Sequence, residues 1–182
     1  MSEEAKNERR ILVAVDAGDE SMYALSWALK NVLLQNSTDT LILLYVKPHY
    51  GTCSAFDSII DDDSELTFSA DVTAAIDRYT EKVAEFVLEQ SKKVCKDLQN
   101  VKLETRLENG DPRVVICDMC KELDADLLVM GSHGNGLSIS RSTYGDANYR
   151  PFLGSVSNYC SQRVSCPVLI VRMPPKPSAT SG

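Results

Sequence analysis

The sequence has no long apolar run and no run of basic residues, and each absence excludes a class of protein. No stretch of its 182 residues approaches the roughly 18 consecutive apolar residues of a membrane-spanning helix, and the first residues are polar rather than an apolar leader. With 26 acidic against 19 basic residues and a net charge of −7, the chain offers no basic row that could neutralise nucleic-acid phosphates. We therefore expect neither a membrane nor a nucleic acid as partner. We expect a cytoplasmic location, with the nucleus as the alternative.

Common nucleotide-binding and metal-binding motifs are missing as well. The sequence has no GxxxxGK[ST] loop, and the turn after its first predicted strand lacks the GxGxxG of a dinucleotide fold. Its six cysteines have irregular spacing, which favours reduced thiols over a disulfide framework. Cys117 and Cys120 form a CxxC inside a predicted helix rather than at its N-terminal turn, and no second pair of ligands at zinc spacing accompanies them. We expect packing thiols before redox chemistry.

Apolar runs alternate along the chain with segments of helical period. Four runs are short and nearly continuous, as in strands buried on both faces of a parallel sheet. A fifth alternates apolar with polar residues, as expected near a sheet edge. The predicted strands are residues 11–15, 41–46, 101–107, 127–130 and 168–171.

Between the strands the apolar period is about 3.6 residues, which predicts helices. Asp111 is a plausible N-cap for one of them, with Pro112 at its first position. Cys166-Pro167 must end another before the last strand. The four stripes are Met22, Leu25, Leu29 and Val32; Val72, Ile76, Tyr79, Val83, Phe86 and Val94; Val115, Met119 and Leu123, on the buried side of their helix; and Phe152, Val156, Tyr159 and Arg163.

Strands alternating with helices predict one doubly wound α/β domain with a parallel sheet. We place this domain at residues 9–172, between a flexible N-terminus at residues 1–8 and a flexible tail at residues 173–182. Residues 47–69 have few periodic apolar residues and an acidic run at 61–63, which predicts a long surface loop.

Ligands of open parallel sheets bind outside the carboxyl ends of the strands, so the residues there are the candidates for a site. Asp16 follows the first strand, and Gly131-Ser132-His133-Gly134 follows the fourth. Gly154-Ser155-Val156-Ser157 opens the last helix, whose first amides and two hydroxyls can bind an anion. We call residues 131–134 and 154–157 the phosphate cradle. It has no lysine, and for His133 we predict a ligand contact rather than a general base, because no nucleophile or orienting carboxylate is close in sequence.

Asp16, the "VMGSHG" of residues 129–134, and "LGSVSNYC" followed by "CPVLIV" together resemble a plant-type universal stress protein, from about residue 11 to residue 172. The resemblance implies a five-stranded sheet in the order 3-2-1-4-5 and an ATP-binding subgroup marked by G-x2-G-x9-G-[S/T]. It also implies a homodimer through the strand at residues 168–171, an edge that its apolar sequence makes a candidate for pairing.

Carried over to this sequence, the resemblance implies a site for ATP, or for AMP or ADP, with Mg²⁺. Asp16 would lie by the adenosine and contribute to the Mg²⁺ shell, and the backbone of Val46 would contact adenine. The residues implied for the nucleotide are Ala14, Val15, Asp16, Val46, Met130, Gly131, His133, Gly134, Gly154, Ser155, Val156 and Ser157.

The sequence departs from this pattern between the two halves of the cradle. Residues 135–153 supply nineteen positions where the family pattern has nine, so about ten residues are inserted within 137–150. Because each doubling of a loop costs only about 0.6 kcal/mol of closure free energy, an external loop is the first expectation. The alternative is that residues 138–149 lie over the nucleotide or block its site.

Three functions remain open from the sequence. The first, which we expect, is an ATP-binding switch or sensor of the stress response, with at most slow hydrolysis. The second is a dimeric interaction or chaperone-like module whose cradle is disrupted by the insertion. The third, an adenylating or ATP-cleaving enzyme, calls for a Ser-Gly-Gly type of loop after the first strand, and Asp16-Ala17-Gly18-Asp19 does not provide it.

Overall fold

The predicted apolar runs form the strands of one parallel sheet. In a computed structural model, the described residues are 8–33, 38–48, 70–98, 100–134 and 153–174. The strands lie in the order β3-β2-β1-β4-β5 with every neighbouring pair parallel, so the doubly wound class and the order 3-2-1-4-5 are confirmed. In chain order the elements are β1 (Arg10–Ala14), α1 (Asp19–Asn31), β2 (Thr40–Lys47), α2 (Ala70–Val94), β3 (Lys102–Asn109), α3 (Pro112–Glu122), β4 (Leu127–Gly131), α4 (Ser155–Arg163) and β5 (Val168–Val171).

Each face of the sheet has its own apolar core. Leu12 and Val13 of the central strand β1 are both fully buried, and their side chains belong to opposite cores. α1 and α2 cover the Val13 face, whereas α3 and α4 cover the Leu12 face. Because the side chains of successive β1 residues are buried on opposite faces of the sheet, the strand is a continuous apolar run and does not alternate apolar with polar residues.

The two edge strands differ in chemistry. β3 carries charged side chains along its exposed edge, including a salt bridge of 2.8 Å between Lys102 Nζ and Glu104 Oε1. Charge on an edge strand opposes pairing with a further strand. β5, at the other edge, reads Val-Leu-Ile-Val and has no charged residue. The predicted wetter strand near an edge is therefore β3, and the uncharged edge is β5.

The predicted start of α3 is also found. Asp111 is the N-cap, and its Oδ1 accepts a hydrogen bond of 2.9 Å from the backbone N–H of Arg113, with Pro112 at the first helical position. The Arg113 guanidinium beside this carboxylate lowers the pKa of Asp111. Met119 is buried on the inner side of α3, and Leu123, its C-cap residue, is buried with it.

α2 buries a different face from the one marked by its large apolar residues. The buried positions are Thr80, Ala84, Val87 and Ser91, which are small or polar. By contrast, Tyr79 is 68% exposed and Phe86 is 62% exposed. The inner face of α2 is therefore lined mainly by small or polar side chains, and of the larger residues in the predicted stripe Val83 packs against the core.

Several sequence expectations fall on residues outside those described. They are the flexible termini at residues 1–7 and 175–182, most of the loop at residues 47–69, Phe152, and the insertion within residues 137–150. Among the helices in the described part of the chain, none is both long enough and apolar enough to span a bilayer.

Candidate functional site

The carboxyl end of β1 leads into a turn that is held by Ser21. The Ser21 hydroxyl accepts a hydrogen bond of 3.0 Å from the Asp16 N–H and lies 3.0 Å from the Asp16 carbonyl oxygen. Asp16 Oδ1 in turn accepts a bond of 2.8 Å from the Gly18 N–H. These contacts fix the direction of the Asp16 carboxylate before α1 begins.

The turn after β4 lies directly against this first turn, and two glycines permit the approach. A Cβ added to Gly134 would lie 2.7 Å from Asp16 Oδ2. A Cβ added to Gly131 would lie 3.0 Å from the backbone carbonyl carbon of Glu20 in the first turn of α1. At Gly131 the neighbour is backbone, so glycine is required there, whereas at Gly134 the neighbour is the end of a side chain that can move.

The two halves of the phosphate cradle are in contact although they are far apart in sequence. The Gly154 N–H donates a hydrogen bond of 2.8 Å to the Ser132 carbonyl oxygen. The Ser157 hydroxyl donates to the same oxygen at 2.7 Å, and it is buried. One carbonyl of the β4 turn thus holds the N-terminal turn of α4 in place.

This arrangement changes the expected role of Ser157. Its hydroxyl has one proton, and that proton is directed at the carbonyls of Ser132 and Gly154, at 2.7 and 3.0 Å. The Ser157 side chain therefore joins the cradle together and has no further proton to donate to an anion. Ser155, in contrast, is exposed at the start of α4.

Glu20 is a site residue that the sequence analysis missed. Its Oε2 accepts hydrogen bonds from the Ser132 hydroxyl at 2.6 Å and from the His133 N–H at 2.9 Å. The same oxygen lies 3.4 Å from His133 Nδ1. No orienting carboxylate is close to His133 in the sequence, but in the structure α1 supplies Glu20 from a distant part of the chain.

These contacts also determine how the His133 ring presents its second nitrogen. The Ser132 hydroxyl gives its proton to Glu20, so its oxygen can accept from His133 Nδ1, which lies 3.0 Å away. A neutral imidazole held in this way carries its proton on Nδ1. Its Nε2 is then an acceptor, suited to a hydroxyl group.

The apolar candidates divide between the two faces of the sheet. Ala14, Val46, Met130 and Val156 all belong to the core under α3 and α4, the face on which the cradle lies. Val15 belongs to the opposite core under α1 and α2 and is buried there. The side chain of Val15 therefore points away from the cradle, and only its backbone can border it.

Val46 borders the cleft because β2 is longer than its neighbour β1. The last residue of β1, Ala14, is paired with Leu44, and the Val15 N–H donates to the Leu44 carbonyl at 2.9 Å. β2 continues from there to Lys47. The backbone of Val46 thus lies at the point where β1 has already turned away.

The chemistry of these residues fits an anion with an accompanying cation. The first backbone amides of α4 lack partners within their own helix, and the helix dipole places partial positive charge there. Asp16 could contribute one carboxylate to Mg²⁺, which proteins usually hold through one or two carboxylates together with substrate phosphates. In the described part of the chain no group of three or more His, Cys, Asp or Glu side chains is placed to hold a metal ion.

A separate surface cavity of about 400 Å³ opens on the other side of the sheet. It is lined by Lys47, Asp77, Arg78, Glu81 and Asn109. Lys47 and Glu81 form a salt bridge of 3.1 Å across it. Its walls are charged and lie beside α2, whereas the glycines and the α4 amides lie under the opposite face, so we assign the anion site to the cradle.

The CxxC residues pack together with other cysteines between α3 and α4. Cys117 Sγ lies 4.0 Å from Cys160 Sγ, and the five cysteines in the described residues are all free thiols. Burial raises the pKa of Cys117, and it raises the pKa of Cys160 to about 12. Thiols with a raised pKa are protonated at neutral pH and react slowly, which agrees with the predicted packing role.

Comparison with known proteins supports the resemblance found in the sequence. The model of the Universal stress protein family matches residues 8–172. Universal stress protein PHOS32 of Arabidopsis thaliana is 29% identical over 169 residues, an alignment that covers 91% of this chain and 65% of PHOS32. This chain therefore spans slightly less than two thirds of the length of that relative.

Solved structures show the same fold. Universal stress protein UspA from Lactobacillus plantarum superposes with a TM-score of 0.63 at 24% identity, covering 90% of this chain and 97% of its own. A universal stress protein family protein from Arabidopsis thaliana, solved with AMP bound, superposes with a TM-score of 0.57 at 20% identity, covering 90% of this chain and 91% of its own.

Proposed function

This chain belongs to the universal stress protein family, and we propose that it binds an adenine nucleotide at the phosphate cradle and acts as a switch or sensor. The observation that carries the proposal is the joint between the two halves of the cradle. Gly154 and Ser157 both bond to the Ser132 carbonyl, so the glycine turn and the N-terminal turn of α4 lie side by side. A related protein with the same fold was solved with AMP bound, which supports adenine as the base.

The phosphates would be bound by backbone rather than by a charged side chain. Ser155, Val156 and Ser157 contribute first-turn amides of α4, and the exposed Ser155 hydroxyl adds a donor. Gly131 and Gly134 let the chain pass close to the ligand without a side chain in the way. No lysine takes part, so the affinity depends on the geometry of the turn.

The adenosine would lie towards β1 and β2. The backbone of Val46 borders the adenine, with Ala14 and Met130 contributing apolar surface from the same core. Asp16 lies beside it, and the acceptor Nε2 of His133 suits a ribose hydroxyl. Glu20 is a positioning residue here, because it holds His133 and Ser132 and would not itself touch the nucleotide.

We further propose that ATP binds with Mg²⁺ and that any hydrolysis is slow. The cation would be held by the phosphates and by Asp16, whose carboxylate is oriented by Gly18. A bound nucleotide that is turned over slowly can shift the population of a protein between two states, as a switch requires. A homodimer through the uncharged β5 edge would provide an assembly that such a switch could control.

Isothermal titration of Mg²⁺-ATP, and separately of AMP, into the purified protein tests the proposal. The comparison variant lacks residues 137–146, which leaves nine residues between Gly134 and Gly154, as in the family pattern. Nine residues are enough to span the gap between the cradle halves, because a Cβ on Gly154 would lie 3.3 Å from His133 Cα.

Binding by both proteins would support the nucleotide switch with an external loop. Binding only by the shortened variant would support the cradle but show that the insertion blocks it in the intact chain. Absence of binding by both would refute the proposal in favour of a nucleotide-independent interaction module.

A further inference from the structure

α2 carries an apolar stripe that the described fold leaves largely exposed, although Val83 packs against the core. The stripe consists of Val72, Ile76, Tyr79, Val83, Phe86 and Val94, and four of these six side chains are exposed by more than a third. Tyr79 and Phe86, at 68% and 62% exposed, are its largest members. Contiguous apolar surface of this kind on a soluble domain commonly marks a site of association. The spacing of this stripe and the charges beside it indicate the kind of partner that would cover it.

The spacing of the stripe indicates that the partner is another helix. From Val72 to Phe86 the apolar positions are 72, 76, 79, 83 and 86, alternating steps of four and three residues. This alternation is the heptad seam along which two helices pack side by side. An extended peptide or a flat surface would require no such period.

The charges beside the stripe specify both the identity and the direction of that helix. On the solvent side of the stripe, Arg78 and Lys82 precede the midpoint near Val83, whereas Glu85 and Glu89 follow it. A second α2 packed in parallel would place like charges together. A second α2 packed antiparallel would place Arg78 and Lys82 of each helix beside Glu85 and Glu89 of the other.

Of these charged residues, Lys82 and Glu85 lie nearest the midpoint of the stripe, and they provide the sharper test. Glu89 already forms a salt bridge of 3.1 Å with Lys92 of its own helix. Within the described residues, neither Lys82 nor Glu85 forms an ion pair. Both are exposed, so both side chains can reach a partner helix without breaking a contact of their own.

We propose that the α2 stripe is an interface with a second copy of this chain, formed by antiparallel pairing of α2 with α2 around a two-fold axis near Val83 and Phe86. In this pairing Lys82 of each copy lies beside Glu85 of the other. The interface does not depend on nucleotide binding. It also lies on a sheet face rather than at the β5 edge, so both contacts can form together and would join dimers into a larger assembly.

Sedimentation velocity at several concentrations tests the proposal with charge variants. Glu85→Lys places Lys82 beside a lysine at two symmetric points, so the dissociation constant of the α2 pairing should rise at least about tenfold. The double variant Lys82→Glu with Glu85→Lys restores opposite charges and should recover the native mass. Glu122→Lys, the same charge change at an exposed position on α3, is the control and should leave the mass unchanged.

A native mass in all of these variants, or a double variant no better assembled than Glu85→Lys alone, would overturn the proposal. A β5 dimer would survive all these substitutions, so Glu85→Lys should remove one assembly step and leave any β5 contact in place. Nucleotide titration of Glu85→Lys should match the native protein, which separates this interface from the proposed function.

Phe86→Glu distinguishes a second copy from another occupant of the stripe. If the partner is a second copy, Phe86→Glu lowers the mass while the urea midpoint at low concentration is unchanged. An unchanged mass with a lower midpoint would show that another part of the same chain covers Phe86, and it would contradict the proposal.

Discussion

Two glycines of the same turn should respond very differently to the same substitution. Gly131→Ala and Gly134→Ala each add one methyl group, three residues apart. At Gly131 the new Cβ would meet the backbone of α1, with Glu20 C at 3.0 Å and Ser21 N at 3.1 Å. At Gly134 it would meet Asp16 Oδ2, the end of a side chain, at 2.7 Å.

The loss of stability caused by each substitution depends on how easily the neighbouring atoms can move. The first turn of α1 cannot move easily, because Ser21 bonds to Asp16 and Glu20 bonds to Ser132. Overpacking against such a neighbour costs about 1–3 kcal/mol, and the stiffer unfolded chain offsets about 0.4–1 kcal/mol of this. We therefore expect Gly131→Ala to lower the free energy of unfolding by about 1–2 kcal/mol.

The Asp16 carboxylate, in contrast, can rotate away from a methyl group at residue 134. The expected cost is its hydrogen bond to the Gly18 N–H, about 1 kcal/mol, which the unfolded-state effect largely cancels. Gly134→Ala should thus change stability by less than about 0.5 kcal/mol. Because it displaces Asp16, it should still weaken binding of Mg²⁺-ATP under the proposed function.

Urea unfolding followed by circular dichroism measures the first effect, and calorimetric titration measures the second. Equal stability of the two variants would refute the argument from close contacts. A Gly134→Ala variant with native affinity would instead remove Asp16 from the proposed site while leaving the fold argument intact.

Three further predictions concern charged groups away from the cradle. Asp39 is fully buried and accepts hydrogen bonds from the Arg9 guanidinium, so Arg9→Met should cost about 2–3 kcal/mol in urea unfolding, with partial recovery on adding Asp39→Asn. Asp111→Ala removes the N-cap of α3 and should cost about 1 kcal/mol. Because Arg113 lowers the folded-state pKa of Asp111, this carboxylate stabilises the fold above the unfolded-state pKa, and the effect is lost as pH falls through the folded value. The stability gap between the native protein and Asp111→Asn should be constant from about pH 5 to 7 and shrink below about pH 4; a gap that widens in acid would contradict this.

The sheet could be predicted from the sequence because its strands are short and buried on both faces. A run such as residues 127–130 leaves little choice, since a continuous apolar segment of this length between glycine-containing and polar turns suits a parallel strand. The start of α3 was equally readable, because Asp111 and Pro112 act within one turn of the chain. In both cases interactions between residues close in sequence were sufficient to predict the element.

The inner face of α2 could not be predicted in the same way. The pattern of large apolar residues marks a helix correctly, but it does not say which face the sheet takes. The helix buries Thr80, Ala84 and Ser91, and which of its faces packs on the sheet depends on the shape of the sheet beneath it. A helix with one face of large apolar residues and another of small residues is ambiguous until the partner of each face is known.

Some residues of the candidate site could likewise be predicted from the sequence, and others could not. The glycines at residues 131, 134 and 154 could be found from their positions after β4 and at the start of α4, because that pattern is visible in the sequence alone. Glu20 was missed because its role exists only after α1 and the β4 turn have come together. An acidic residue in the first turn of a helix has an ordinary explanation in the helix dipole, so its sequence position alone gave no further signal.

The joint at Ser132 also explains why an insertion between the cradle halves is tolerated. Its two hydrogen bonds are formed by Gly154 and Ser157, and neither partner depends on the length of the intervening chain. Lengthening the connection from nine to nineteen residues adds only about 0.6 kcal/mol of closure free energy, less than one or two such bonds contribute. The position of α4 is therefore determined by contacts with the β4 turn and the core. Whether the insertion affects binding of the ligand is the question that titration of the shortened variant answers.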